Sequence, residues 1–138
     1  MRAVIQRVGC ASVSVDGDEI AAIGPGLVVL LAVASEDETD QADRLAKKVR
    51  ALRVFDDAAG RMNEPLGDRE LLCISQFTLY GETRRGNRPS FIAAADAAPA
   101  RALYERFCDR SGAKRGRFGA RMALKLSNDG PVTLILET

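Results

Sequence analysis

Residues 75–80 read Ser-Gln-Phe-Thr-Leu-Tyr, a dense run of groups able to do chemistry. Read as a strand, it puts Ser75, Phe77 and Leu79 on one face and Gln76, Thr78 and Tyr80 on the other. Gln and Thr side chains orient a substrate or a water, and backbone N–H groups at a strand's end can hold an oxyanion. The same alternation also fits a strand with one wet face in an antiparallel sheet. A second candidate is Asn128-Asp129-Gly130-Pro131-Val132-Thr133. Gly130 lets another group approach the backbone closely, and Pro131 fixes φ and permits a cis bond. On pattern alone, an ordinary turn between two strands explains it better. The third is Thr83-Arg84-Arg85-Gly86-Asn87-Arg88-Pro89. Its three guanidinium groups suit phosphate oxygens, and a solvated basic loop is the competing reading. The spacing is not GxxxxGK[ST], so it is no nucleotide P-loop.

What is missing narrows the chemistry further. The chain has no His. That excludes a Ser-His-Asp triad, a Cys-His pair and any His-ligated metal. It also removes the one side chain whose ordinary pKa lies near neutrality. Acid–base work must come from another side chain, the backbone or the substrate. Cys10, Cys73 and Cys108 are widely spaced and form no CxxC pair, which fits buried thiols in a reducing cytosol. Asp56-Asp57, beside Ala58-Ala59-Gly60, reads as a hairpin turn. Asp37, Glu38 and Asp40 read as a favourable helix start, and no metal loop is visible.

The formal net charge is +1, which hides an asymmetry. Residues 1–69 hold 9 Lys+Arg and 12 Asp+Glu, and residues 70–138 hold 11 and 7. All 11 of those cations lie between Arg84 and Lys125, against only Asp96, Glu105 and Asp109. A basic field of this kind points to a phosphate-bearing partner.

The elements that must position these groups follow from pattern. At 138 residues, one domain with one real core is expected. Ala3–Val8 and Ser12–Val15 read as strands, with Asp16-Gly17 as a two-residue hairpin turn before Glu19–Ile23. After Gly24-Pro25-Gly26, the run Leu27–Val33 reads as a strand buried on both faces. Ser35 and Glu38 have capping-box spacing, and Ala42, Leu45, Ala46, Val49 and Leu52 predict a helix over Thr39–Ala51. Val54-Phe55 reads as a short strand closing a βαβ crossover, Met62–Asp68 as loop, and Leu71–Leu79 as a second apolar strand. Pro99 suits a helix first turn, with the helix running to about Arg110. Ser111–Gly116 reads as loop, and Phe118–Leu126 and Val132–Leu136 as closing strands. The expected fold is α/β: layered, barrel-like mixed sheets with two main helices packed on one side, and a second copy completing exposed edges. No secretory signal pattern is present, and the longest apolar run, Leu27–Ala34, is too short to span a bilayer. A cytoplasmic protein with no membrane partner is expected.

Four segments together resemble the D-aminoacyl-tRNA deacylases: Met1-Arg2-Ala3-Val4-Ile5-Gln6-Arg7-Val8, Ser75–Tyr80, Gly86-Asn87-Arg88-Pro89-Ser90-Phe91 and Asn128–Thr133. They fall in order from the first residue to nearly the last. The one departure noticed is Tyr80-Gly81-Glu82-Thr83, where members often carry Ala-Asp, and it touches loop detail only. The resemblance implies one domain over residues 1–138 that hydrolyses the ester joining a D-amino acid to the tRNA 3′-terminal ribose, and glycyl-tRNA as well. It implies a homodimer whose partner is the aminoacyl-tRNA 3′ end, with no cofactor and no metal. Ser75, Gln76, Phe77 and Thr78 would form the catalytic segment. A cis Gly130-Pro131 would enter the partner subunit's site and exclude L side chains, braced by Arg7. Arg84, Arg85 and Lys114 are the expected tRNA contacts, from charge. Two mechanisms stay open: Thr78 as nucleophile, or hydrolysis assisted by the ribose 2′-OH, which the lack of a histidine favours. A non-catalytic RNA-binding module and a structural homodimer scaffold are the competing classes.

Overall fold

The computed structural model describes residues Met1–Thr138. Strand β1, Arg2–Val15, is the hub, because β2 (Asp18–Ile23), β3 (Gly26–Ala32) and β8 (Met122–Glu137) all pair with it antiparallel. Ala3 and Ile5 point into one core and Val13 into another. Between them the alternation breaks: Arg7 and Val8 are both buried, and Gly9 and Cys10 are both exposed. The pairing with β8 slips at the same place. Because side chains alternate strictly along a strand, this irregularity transfers the buried face of β1 from one core to the other.

Helix α1 (Thr39–Ala51) follows β3 and presents Ala42, Leu45, Ala46 and Val49 to the sheet. A small hairpin, β4 (Phe55–Asp56) with β5 (Met62–Glu64), leads into β6 (Glu70–Ser75), which runs parallel to β3. Gly26 makes that pairing possible, since a Cβ there would lie 1.9 Å from the carbonyl oxygen of Glu70. A 3-10 helix (Phe77–Tyr80), α2 (Ala97–Ser111) and β7 (Lys114–Arg115, parallel to β6) complete the order β2-β1-β3-β6-β7. The larger core lies between the sheet and the two helices, where Phe107, Leu45, Leu31 and Ile5 are fully buried. The smaller one, around Val13, Val28 and Leu72, fills the other face under β2 and the first half of β8. The expected mixed, barrel-like sheet with two helices is observed.

Several local expectations are corrected. The capping box at α1 is Glu38 with Gln41, one turn later than Ser35. The crossover from β3 closes on β6, and Phe55 belongs to the hairpin instead. Lys114-Arg115 and Met62–Glu64, both expected as loop, are short strands. The two strands expected at each end of the chain are single long ones. The apolar run from Leu71 is a strand only to Ser75, and Phe77–Tyr80 is a 3-10 helix. The two-face reading of Gln76, Thr78 and Tyr80 therefore does not hold.

Candidate active site

The strand-to-turn junction at Ser75 builds the first candidate segment. Gln76 donates its backbone N–H to the Leu31 carbonyl (2.7 Å), a last rung between the parallel strands. The chain then tightens, with Leu79 N–H to Gln76 O at 3.1 Å and Gly81 N–H to Thr78 O at 2.9 Å. The N–H groups of Phe77 and Thr78 donate to no backbone carbonyl, as expected for the first turn of a helix. The turn is tied down by Arg2, whose Nη1 donates to Leu79 O (2.6 Å). Its Nε meets Glu137 at 2.6 Å, and its guanidinium lies 4.9 Å over the Tyr80 ring. Burial and the nearby carboxylate of Asp37 push the Tyr80 hydroxyl up to about 12.

Beside this turn lies an apolar cavity of about 520 Å³. Leu31–Val33 of β3 and Ile74–Phe77 form one wall; Ala97, Ala100 and Tyr104 of α2 form another, and Phe118–Ala120 with Met122 and Leu124 close it. Tyr104 donates to the Cys73 carbonyl (2.8 Å), and burial raises its pKa far above the ordinary tyrosine range. It is the one titratable side chain in the lining, so no side chain there changes charge near neutrality.

Ser75, Gln76 and Phe77 line the cavity, and Thr78 does not. The Thr78 hydroxyl is exposed and accepts a hydrogen bond from Gln76 Nε2. No basic side chain accepts its proton. Phe77, 57% exposed, stands edge-on to Phe91 with ring centroids 5.1 Å apart.

The second candidate segment is Asn128–Val132 of β8, which lines no part of the cavity. The Gly130-Pro131 bond is cis. Arg7, only 8% exposed, donates from Nε to Asp129 O (2.9 Å) and from Nη1 to Val54 O (2.6 Å), with Asp129 and Asp56 carboxylates at 3.3 and 3.5 Å. Asn128 Nδ2 donates to both Arg7 O and Val132 O at 3.2 Å. A Cβ on residue 130 would lie 2.2 Å from Asn128 Oδ1 and 2.9 Å from Val132 N. The main chain of Gly130 and Pro131 is thus fixed from behind and exposed in front.

Within one chain the two segments are far apart. Ser75 pairs with Leu31 at one end of β3, and Arg7 pairs with Leu27 at the other. Four residues of strand separate them by about 13 Å.

The expected tRNA contacts divide. Arg84 pairs with Glu82, holding that carboxyl down at about 2, and Lys114 pairs with Glu70 at 2.5 Å and donates to Ala22 O. Arg85 makes no ion pair within 4.0 Å. Sequence reasoning missed Arg2, Tyr104 and the Phe118–Ala120 wall. The signal for Tyr104 was a lone hydroxyl on the apolar face that also carries Ala100, Leu103 and Phe107. Arg2 and the wall carried no pattern.

An apolar cavity beside free main-chain donors, with no side chain titrating near pH 7, suits hydrolysis of an ester by backbone hydrogen bonds and apolar surface within a single domain. The model of the D-Tyr-tRNA(Tyr) deacylase family matches residues 4–137, and the chain belongs to that family. It is 49% identical over 146 residues to the D-aminoacyl-tRNA deacylase of Prosthecochloris aestuarii, covering 100% of this chain and 99% of that one. It is 50% identical over 145 residues to the same-named protein of Dehalococcoides mccartyi, covering 100% and 95%. Among solved structures it resembles a c-Myc DNA unwinding element binding protein (TM-score 0.94, 39% identity, 100% and 99% of the two chains). A "probable eukaryotic D-amino acid tRNA deacylase" shares the fold at TM-score 0.85 and 18% identity, over 98% and 97%.

Proposed function

We propose that this protein hydrolyses the ester of D-aminoacyl-tRNA, and of glycyl-tRNA, as a homodimer that spares L-aminoacyl-tRNA. The observation that carries the reading is the pair of free N–H groups, Phe77 and Thr78, beside an apolar cavity without a titrating base. Such donors stabilise the oxyanion that forms when water adds to the ester carbonyl. The bond from the carbonyl carbon to the ribose oxygen then breaks, that oxygen takes a proton, and free amino acid and tRNA leave.

The dimer accounts for the separation of the two segments. A two-fold arrangement would bring the partner's Gly130 and Pro131 to each cavity, since an isologous interface exchanges the same surfaces both ways. Leu134 and Ile135, exposed on the same strand, are apolar surface for such an interface. Rigid main-chain carbonyls there would hold the substrate's amino group and leave no room for an L side chain. Handedness would be read without regard to side-chain identity.

Thr78 is a poor nucleophile here, because nothing takes its proton. We favour the terminal ribose 2′-OH as the group that activates or orients water, since the chain has no histidine to do so. A charged tRNA as substrate supports action in the cytoplasm.

The deciding assay offers D-Tyr-tRNA and L-Tyr-tRNA to the protein. Release of D-tyrosine alone is expected; binding of tRNA with no release would make it an RNA-binding module. A D-Tyr-tRNA ending in 2′-deoxyadenosine should resist hydrolysis, and full activity on it would refute the ribose role.

A further inference from the structure

The basic stretch 84–125 is less uniformly available than its composition implies. Arg84, Arg106, Arg110, Lys114 and Arg115 each lie within 4.0 Å of a carboxylate. Arg101, Arg117 and Arg121 have no such partner, and all three are exposed. They converge on one feature. Residues 117–120 form a turn closed by Ala120 N–H to Arg117 O (3.1 Å), and its members Phe118, Gly119 and Ala120 line the cavity. Arg117 opens that turn, Arg121 follows it, and the Arg101 guanidinium lies 5.2 Å over the Phe118 ring.

We infer that Arg101, Arg117 and Arg121 form a binding site for the phosphodiester groups that lead into the terminal adenosine of the RNA substrate. This rests on the deacylase reading, which fixes what occupies the cavity. With the ester beside Gln76 and Phe77, the 5′-phosphate of the same nucleotide is one ribose further out, at the rim. Guanidinium groups free of carboxylate partners meet it with paired, charge-assisted hydrogen bonds. Phosphate contacts of this kind set register and carry no sequence information, which suits an enzyme that must accept the same 3′ end on different tRNAs. Of the three cations expected from charge, Arg84 and Lys114 are paired within the chain, and Arg85, unpaired, lies outside the cavity lining.

The test compares D-tyrosyl-adenosine, which has no phosphate, its 5′-phosphorylated form, and D-Tyr-tRNA. Wild-type protein should hydrolyse the 5′-phosphorylated ester faster than the plain one. In R117Q/R121Q, kcat/KM on D-Tyr-tRNA should fall about tenfold per guanidinium, the scale of a hydrogen bond to a charged group. That loss should exceed the loss on D-tyrosyl-adenosine at least tenfold, and the preference for the 5′-phosphate should disappear. The log–log salt slope of tRNA binding should shrink by about one per cation removed. Arg44→Gln, on the outer face of α1, should change none of these. Equal losses on all three substrates, or no loss on tRNA, would overturn the inference. Failure of wild-type protein on every D-ester would instead overturn the deacylase reading. Both positions in the double variant are exposed, so folding is expected to survive; R101Q is a separate third variant.

Discussion

The Phe77–Tyr80 turn and the Asn128–Val132 segment both present main chain to the outside, yet they are built in opposite ways. The turn is local: a strand ends, a 3-10 helix begins, and its first N–H groups are left free by helix geometry itself. From a distance, Arg2 supplies a hydrogen bond to it and Phe91 packs against Phe77. The Gly130-Pro131 segment is held by side chains from far away in sequence, above all Arg7, which spans β1, the Val54 carbonyl and Asp129. Main chain that a helix end leaves free tolerates side-chain loss. Main chain that a buried guanidinium holds does not.

That contrast can be broken most directly at Arg7. Arg7→Ala leaves the carbonyls of Val54 and Asp129 without their charged donor. It should cost about 3 kcal/mol of stability and lower D-aminoacyl-tRNA hydrolysis by about 100-fold in protein that remains folded. Denaturant midpoints and initial rates check it, and a loss under 1 kcal/mol would mean the segment holds itself. Gly130→Ala probes the same segment with Arg7 left in place. The added methyl has no room between Asn128 Oδ1 and Val132 N. Activity on the D-substrate should fall about 100-fold, as for a misplacement of about 1 Å. Normal rates with intact rejection of L-Tyr-tRNA would place the selector elsewhere. Arg2→Met tests the turn, removing the hydrogen bond to Leu79, the half-exposed pair with Glu137 and the cation over the Tyr80 ring. About 1 kcal/mol and a several-fold rate loss are expected. Thr78→Ala should matter least, within about threefold in single turnover, because an exposed hydroxyl bond contributes little. A loss as large as that of Arg7→Ala would restore Thr78 as nucleophile.

The pH profile separates the two segments from ordinary hydrolase chemistry. Tyr80 and Tyr104, both raised by burial, keep their protons throughout pH 6–9. The cavity should contribute no bell-shaped dependence of kcat over that range. For stability the sign is fixed by the same shifts. A tyrosine raised in the folded state ionises first in the unfolded chain, so stability is lost as pH rises from about 10, where unfolded tyrosine titrates. For Tyr80 the loss is complete above about 12. Thermal midpoints across pH 8–12 measure it.

The sequence made the helices and the buried strand legible because their patterns are long. Thr39–Ala51 is the helix its apolar spacing predicts. The run Leu71–Leu79 misled because its polarity keeps alternating after the chain has left the sheet at Ser75. Period-two polarity in residues 76–79 carries no mark of the 3-10 turn. β7 is two charged residues long and pairs with β6 only because α2 delivers it there. The contrast between the two segments was invisible for a related reason. Arg7 and Asn128 are 121 residues apart, and nothing in their spacing says that they touch.

The place of β1 in the sheet has a consequence for how the chain is made. Its longest pairing, from Arg2 opposite Glu137 to Val15 opposite Met122, is with the strand synthesised last. Until residues 122–137 emerge, β1 carries an open edge and the smaller core lacks one side. Contacts so distant in sequence are slow to form, and an unpaired strand edge recruits other chains in the meantime. On the ribosome, then, β1 cannot complete its pairing until residues 122–137 have emerged. A truncation that removes β8 should leave an aggregating chain rather than a smaller folded one.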